Sequence, residues 1–137
     1  MRKLFYQLVI MHKESLYTVP QLSKKLNITE RAIRFYESKG LLNPSRAGNT
    51  RVFNYKDRAR LLIILRAKKL GFSLKDIKTY LDLYEVDPSH KTQSKNAIRA
   101  ISKRLDRLKD QKKEINFIIG ELKSVKKEIL DSFEHSL

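Results

Sequence analysis

From Lys91 to Ser136 the chain has no proline and one glycine, Gly120, and its apolar residues return every seven positions. With Ile98 as the first core position of the heptad, one row holds Ile98, Leu105, Lys112, Ile119, Lys126 and Phe133. The other row holds Ile101, Leu108, Ile115, Leu122 and Ile129. Nine of these eleven seam positions are apolar, which is the pattern of a coiled coil and not of a solvated arm. A stripe along roughly eleven turns is too long for two short helices of the same chain to cover. A second copy is therefore expected on it, with Ile98, Ile101, Leu105, Leu108, Ile115, Ile119, Leu122 and Ile129 as the dimerising residues. Lys112 and Lys126 weaken the seam and set its register, while Ile118 and Val125 widen it.

That leaves about two thirds of a 137-residue chain to build a single core. Lysine and arginine number 30 against 15 acids, a formal charge of +15, so polyanions are the expected partners. The charge concentrates between Lys24 and Lys69, where 13 basic residues face three acids. With 41% hydrophobic residues the chain has enough apolar surface to fold. Cysteine is absent, which excludes disulfides, thiolate metal sites and thiol nucleophiles. His12, His90 and His135 are too widely spaced to suggest a metal site. No apolar run approaches the roughly 18 residues that would span a bilayer. A leader over residues 1–16 faintly imitates a signal peptide, but Gln7 breaks its apolar stretch and no small-residue cleavage site follows, so a cytoplasmic protein is expected. Translation from Met11 would leave the same functional segment, since no motif precedes Tyr17.

Thr18 with Gln21 reads as a capping box that opens a helix with Val19, Leu22 and Leu26 on one face. Asn27 and Ile28 make a turn. Thr29 caps a second helix running to Lys39 and stopping at Gly40. This is the outline of a helix-turn-helix. Leu41–Asn43 and Arg51–Tyr55 read as two short strands around a loop that begins at Pro44, a basic wing. Asp57 starts a third helix ending at Gly71, and Ser73 with Asp76 starts a fourth. Val86–His90 is the hinge before the long helix. The fold expected is mainly α: a winged helix-turn-helix over 17–86 with a small two-stranded wing, then a dimerising coiled-coil helix over 90–136.

The second helix carries Arg31, Arg34, Phe35 and Tyr36, residue types suited to the major groove; arginine can grip guanine O6 and N7 with both ends of its fork. One of the two aromatics is expected in the core. Thr18 and Thr29, at the starts of the two helices, complete this face. On the wing, Arg46 at the tip and Arg51 on the returning strand are placed to hold phosphates, with Phe53 beside them. Lys56, Arg58 and Arg60 could equally be an exposed helix face.

The order of these parts closely resembles the MerR family of bacterial transcription regulators. The resemblance rests on Tyr17-Thr-Val-Pro-Gln-Leu-Ser-Lys-Lys-Leu, Thr29-Glu-Arg-Ala-Ile-Arg-Phe-Tyr-Glu-Ser-Lys-Gly-Leu-Leu, Arg51-Val-Phe and Leu70-Gly-Phe-Ser-Leu-Lys-Asp-Ile. It implies a homodimer joined by antiparallel long helices, bound to an inverted repeat and distorting promoter DNA so that RNA polymerase can engage it. Arg31, Arg34 and Tyr36 match the family's recognition-helix residues, and Arg51 and Phe53 match the wing's contact pair, with Phe53 standing for a usual tyrosine. Tyr80-Leu-Asp-Leu-Tyr84 and Asp57-Arg-Ala-Arg-Leu look like the subgroup controlling branched-chain amino-acid and acyl-CoA breakdown. The cysteines of metal- and redox-sensing relatives are missing, so neither metal nor other cofactor is expected, and a small-molecule effector would be of unidentified chemistry.

An enzyme is disfavoured, because no phosphate-cradling glycine loop or nucleophile with base can be argued from spacing. The competing reading is an architectural protein that bends DNA without reading its sequence. A coiled-coil adaptor for another protein would leave the basic head unexplained. A membrane anchor is disfavoured by the aliphatic heptad, which has no tryptophan.

Overall fold

The computed structural model describes residues 15–86 and 88–136. The features read in residues 1–14, including His12 and most of the leader, lie outside them. Five helices and one hairpin follow in the order α1 (Val19–Leu26), α2 (Glu30–Ser38), β1 (Ser45–Ala47), β2 (Thr50–Val52), α3 (Tyr55–Lys69), α4 (Leu74–Val86) and α5 (Lys91–His135). By packing, the chain separates into a unit ending at Asn96 and another beginning at Ala97.

In the first unit each helix start is closed by the chemistry of its own sequence. The Gln21 N–H donates to Thr18 Oγ1 and the Thr18 N–H donates to Gln21 Oε1, the reciprocal pair expected of a capping box. Asn27 ends α1 in the left-handed region at φ 53°, tolerable for its short amide side chain. Thr29 Oγ1 takes the Ala32 N–H at 3.1 Å to start α2, and Gly40 turns the chain away at φ 76°. Apolar spacing then decides the core: Val19 and Leu22 on α1, Ile33 and Tyr36 on α2, Leu61 and Ile64 on α3, and Ile77 and Leu81 on α4 are all buried. Each such aliphatic side chain contributes about 1.5–3 kcal/mol by leaving water.

The wing differs from the sequence expectation. Leu41 and Leu42 do not form a strand; both are buried, which a strand with alternating faces could not achieve beside solvent. Strand β1 lies further on, at Ser45–Ala47, and pairs antiparallel with β2 so that Ala47 faces Thr50 and Arg46 faces Arg51. Gly48 allows the two-residue turn between them at φ 62°, a conformation that glycine adopts without strain. The second strand is also shorter than expected, because Asn54 leaves it to cap α3. Its Oδ1 accepts the Asp57 N–H while Asp57 Oδ2 accepts the Asn54 N–H. Asp57 is therefore the third residue of its helix and not the first. Burial pushes its carboxyl above the usual range, against the opposing pull of the Asn54 N–H and the Arg60 charge.

Ser73 Oγ accepts the Asp76 N–H at the start of α4, as its spacing implies. Arg60 clips α3 to its surroundings, donating from Nε to the Leu41 carbonyl at 2.6 Å and from Nη2 to Asp82 on α4 at 3.1 Å. Gln93, in the first turn of α5, is buried and donates to the Tyr80 carbonyl at 2.7 Å. His90 precedes it at φ 56° with its ring stacked on Tyr84, centroids 4.6 Å apart. Beyond Asn96, α5 continues as one unbroken helix. All eight expected dimerising side chains are between 42% and 64% exposed in the single chain.

Candidate nucleic-acid interface

Residues follow one another around a helix at about 100°. On α2 this sets Arg31, Arg34, Phe35 and Ser38 along one stripe, and all four are exposed, while Ile33 and Tyr36 fall on the opposite side and are buried. The sequence reading placed Tyr36 with the arginines. One of the two aromatics is in the core, as expected, and it is Tyr36: Phe35 is 44% exposed and Tyr36 8%, because Tyr36 stands one turn beyond Ile33 and shares its inward face. Arg34 makes only a 4.0 Å contact with Glu30, both ends well exposed, which leaves its guanidinium free to exchange partners at small cost. Lys39 lies over the Phe35 ring, 5.6 Å from its centre.

The wing reaches the same side through a residue that sequence reasoning passed over. Glu37 of α2 accepts from Arg51 Nε with one carboxylate oxygen and lies 3.4 Å from Arg46 Nη2 with the other. Arg46 and Arg51 are directly opposed across the hairpin, where two like charges would repel. The carboxylate between them removes that repulsion and ties both strands to α2. Both guanidiniums stay partly exposed and keep further N–H groups for an anion. The available signal was slight: Glu37 is one of three acids among the residues from Lys24 to Lys69.

Phe53 is fully buried, so its side chain presents no surface to a ligand, contrary to its expected place in the wing's contact pair. Its role is in the backbone. The N–H groups of Phe53 and Tyr17 each donate to the other's carbonyl at 2.8 Å, tying the end of the wing to the residue before the Thr18 cap. Thr18 and Thr29 spend their lone pairs on caps, and each hydroxyl keeps a hydrogen of its own to donate.

Of the three basic residues left open in the first part of α3, Lys56 is exposed, Arg60 is the internal clip, and Arg58 points to Tyr17. Arg58 Nη1 and Lys25 Nζ both donate to the Tyr17 hydroxyl, at 3.4 and 3.5 Å, and both cations lie against its ring. Burial alone would push this phenol up. Hydrogen bonding to Ser15 and Lys25 and the charges of Arg58 and Lys25 outweigh burial and hold it below its ordinary range. Nothing in the local sequence pairs these residues, since Arg58 lies 41 positions from Tyr17.

Among the described residues there is no group of three His, Cys, Asp or Glu side chains able to hold a metal ion. Nor is any described helix long and apolar enough to cross a membrane. His135 is exposed on α5.

Comparison with known proteins points to one family. Residues 17–83 match the family described as MerR HTH family regulatory protein, and residues 58–125 match the family described as MerR, DNA binding. The chain is 30% identical over 118 residues to the HTH-type transcriptional regulator ZntR homolog of Haemophilus influenzae, covering 85% of this chain and 80% of that one. Among solved structures it is similar to HiNmlR, a MerR family regulator lacking the sensor domain and bound to promoter DNA. The TM-score there is 0.53 and the identity 30%, over 70% of this chain and 80% of that one. A MerR family regulator from Bacillus cereus shares the fold with a TM-score of 0.64 at 22% identity, over 83% of this chain and 82% of that one.

Proposed function

Given that this chain belongs to the MerR family of HTH transcriptional regulators, we propose that it works as a homodimer that reads an inverted repeat in promoter DNA and controls transcription by distorting that DNA for RNA polymerase. The observation that carries this reading is the division of α2, with Arg31 and Arg34 on one open face and Ile33 and Tyr36 anchoring the other. A helix seated this way can enter the major groove with both guanidiniums directed at base edges. Arg46 and Arg51 then engage phosphates and fix the register of the head, with the capping hydroxyls of Thr18 and Thr29 beside them. HiNmlR, the similar protein whose structure contains promoter DNA, supports this placement.

The second half of the proposal rests on α5. Its exposed aliphatic stripe, from Ile98 to Ile129, matches what a partner helix needs, and a second copy of this chain supplies the same stripe. We take the two helices as antiparallel, with residues 90–136 as the dimerising element and 17–86 as the reading head. Symmetry between two heads then implies two inverted half-sites. The site of action is the cytoplasm, where the promoter is. Any effector would be a small molecule acting without cysteine ligation, since the sequence has no cysteine.

Affinity measured against salt, for a duplex from the gene's own upstream region and for a base-scrambled duplex of equal length, tests this reading. A regulator keeps a gap between the two as salt rises, whereas an architectural DNA-bending protein binds both alike and loses both together. Arg34→Ala should narrow that gap by about 1–3 kcal/mol if the side chain reads a base. An unchanged gap in the Arg31→Ala, Arg34→Ala double variant would overturn the assignment of these residues.

A further inference from the structure

Tyr17, Lys25 and Arg58 come from three different places in the chain and meet at one oxygen. Lys25 Nζ at 3.5 Å and Arg58 Nη1 at 3.4 Å donate to the same phenol, which puts the two cations within about 7 Å of each other. Among the described residues no carboxylate pairs with either of them, although the neighbouring arginines 46, 51 and 60 each have one. Arg58 Nε is buried without a hydrogen-bond partner. The phenol oxygen receives both cationic donors and also hydrogen-bonds Ser15. Two cations converging with no carboxylate beside them among the described residues make a donor set that a phosphate oxygen fits.

The cluster is also held firmly. Tyr17 is fixed by its paired backbone bonds to Phe53, its ring is buried, Arg58 rises from the first turn of α3, and Lys25 is exposed to admit a ligand. Tyr17 stands one residue before the cap of α1, and Phe53, to which it is bonded, stands one residue beyond β2. In a helix-turn-helix the first helix crosses the DNA backbone. We propose that Tyr17, Lys25 and Arg58 form a phosphate seat at the root of the wing, which grips one backbone phosphate per half-site in addition to the contacts of α2 and of Arg46 and Arg51. That the phosphate belongs to DNA rests on the function proposed above.

The test replaces each phosphate of one half-site singly by neutral methylphosphonate in the upstream duplex and compares full-length protein with Lys25→Gln, Arg58→Gln and Tyr17→Phe variants. The unaltered protein should lose affinity at one position where the Lys25→Gln, Arg58→Gln double variant is indifferent. Each seat removed should make the dependence of log K on log salt shallower by about 0.9. Tyr17→Phe keeps the core ring, and Lys25→Gln changes an exposed residue, so both variants should melt as the parent does. A second arm titrates inorganic phosphate against chloride at equal ionic strength and follows the ring resonances of Tyr17. If DNA binds and no methylphosphonate position separates parent from double variant, the seat is overturned while the regulator reading stands. If the parent binds no duplex yet its Tyr17 resonances respond to phosphate in a Lys25- and Arg58-dependent way, the seat stands for a free phosphate and the regulator reading falls. Silence in both arms overturns both.

Discussion

The head up to Asn96 and the helix beyond it use their apolar residues in opposite ways. In the head, Leu22, Ile33, Leu41, Phe53, Leu61 and Ile64 are wholly buried, and residues as far apart as Tyr17 and Ile77 share one cluster. Along α5, Ile98, Leu105, Leu108, Ile115 and Leu122 remain open to solvent, although they are no less hydrophobic. The head can satisfy itself, because its chain is broken into several short elements and their apolar faces cover one another. A single straight helix cannot cover its own stripe, so its stability has to come from outside the segment. In the proposed dimer, folding and association fall to different stretches of the chain, and damage to one should be separable from damage to the other.

The largest expected effect breaks the association side. In the proposed dimer, Leu108→Asp places a carboxylate in the aliphatic seam of each helix and removes two leucines. At about 1.5–3 kcal/mol for each leucine, the loss is roughly 3–6 kcal/mol before the charges are counted. Sedimentation equilibrium should show monomer, with the head's near-ultraviolet circular dichroism retained. Phe53→Ala attacks the other side. Emptying a fully buried aromatic site costs about 3–5 kcal/mol, read as a lower denaturation midpoint for the head while the helical signal of α5 persists. If Leu108→Asp unfolded the head, or Phe53→Ala left its midpoint unchanged, the division between the two regions would be wrong.

A smaller change sharpens the picture within the head. Glu37→Gln leaves Arg46 and Arg51 facing each other without a counter-charge. These are partly exposed pairs, so about 1 kcal/mol or less of stability is at stake. The wing should lose its fixed angle to α2, with discrimination between promoter and scrambled duplex falling while affinity for scrambled DNA rises at low salt. The mildest effect comes with pH. Burial raises the Asp82 carboxyl, but the hydrogen bonds from Lys78 and Arg60 outweigh it and hold the group below its ordinary range. The folded state therefore favours the charged form, and its stabilising contribution is present above the ordinary carboxylate range and fades as pH falls through the lowered value. Thermal melts between neutral pH and about pH 3 should show a smaller acid loss for Asp82→Asn than for the parent.

Features governed by neighbours in sequence were legible without coordinates. The Thr18–Gln21 box, the Thr29 cap, the Gly40 stop, the Ser73–Asp76 start and the unbroken run of α5 all depend on contacts within a few residues, where composition and spacing act directly. The wing's first strand was misplaced because Leu41 and Leu42 look like strand residues while serving as core plugs, a choice made by α3 and α4 and not by their own neighbourhood. The orientation of Tyr36 lay in between. The turn-by-turn spacing from Ile33 held the answer, but aromatic chemistry suggested a surface role.

Helices, caps, charge and the heptad stripe are properties of short stretches, and each follows from backbone geometry and residue type alone. The partnerships at the interface do not. Glu37 meets Arg51 across 14 residues, Arg60 meets Asp82 across 22, and Tyr17 meets Arg58 across 41. Each pairing exists because hydrophobic burial brings distant segments together before any charge can choose its neighbour. Burial is nearly indifferent to direction, whereas hydrogen bonds and ion pairs act only over a few ångströms. Which charges end up paired with carboxylates, and which converge on Tyr17, is therefore settled by how the core packs.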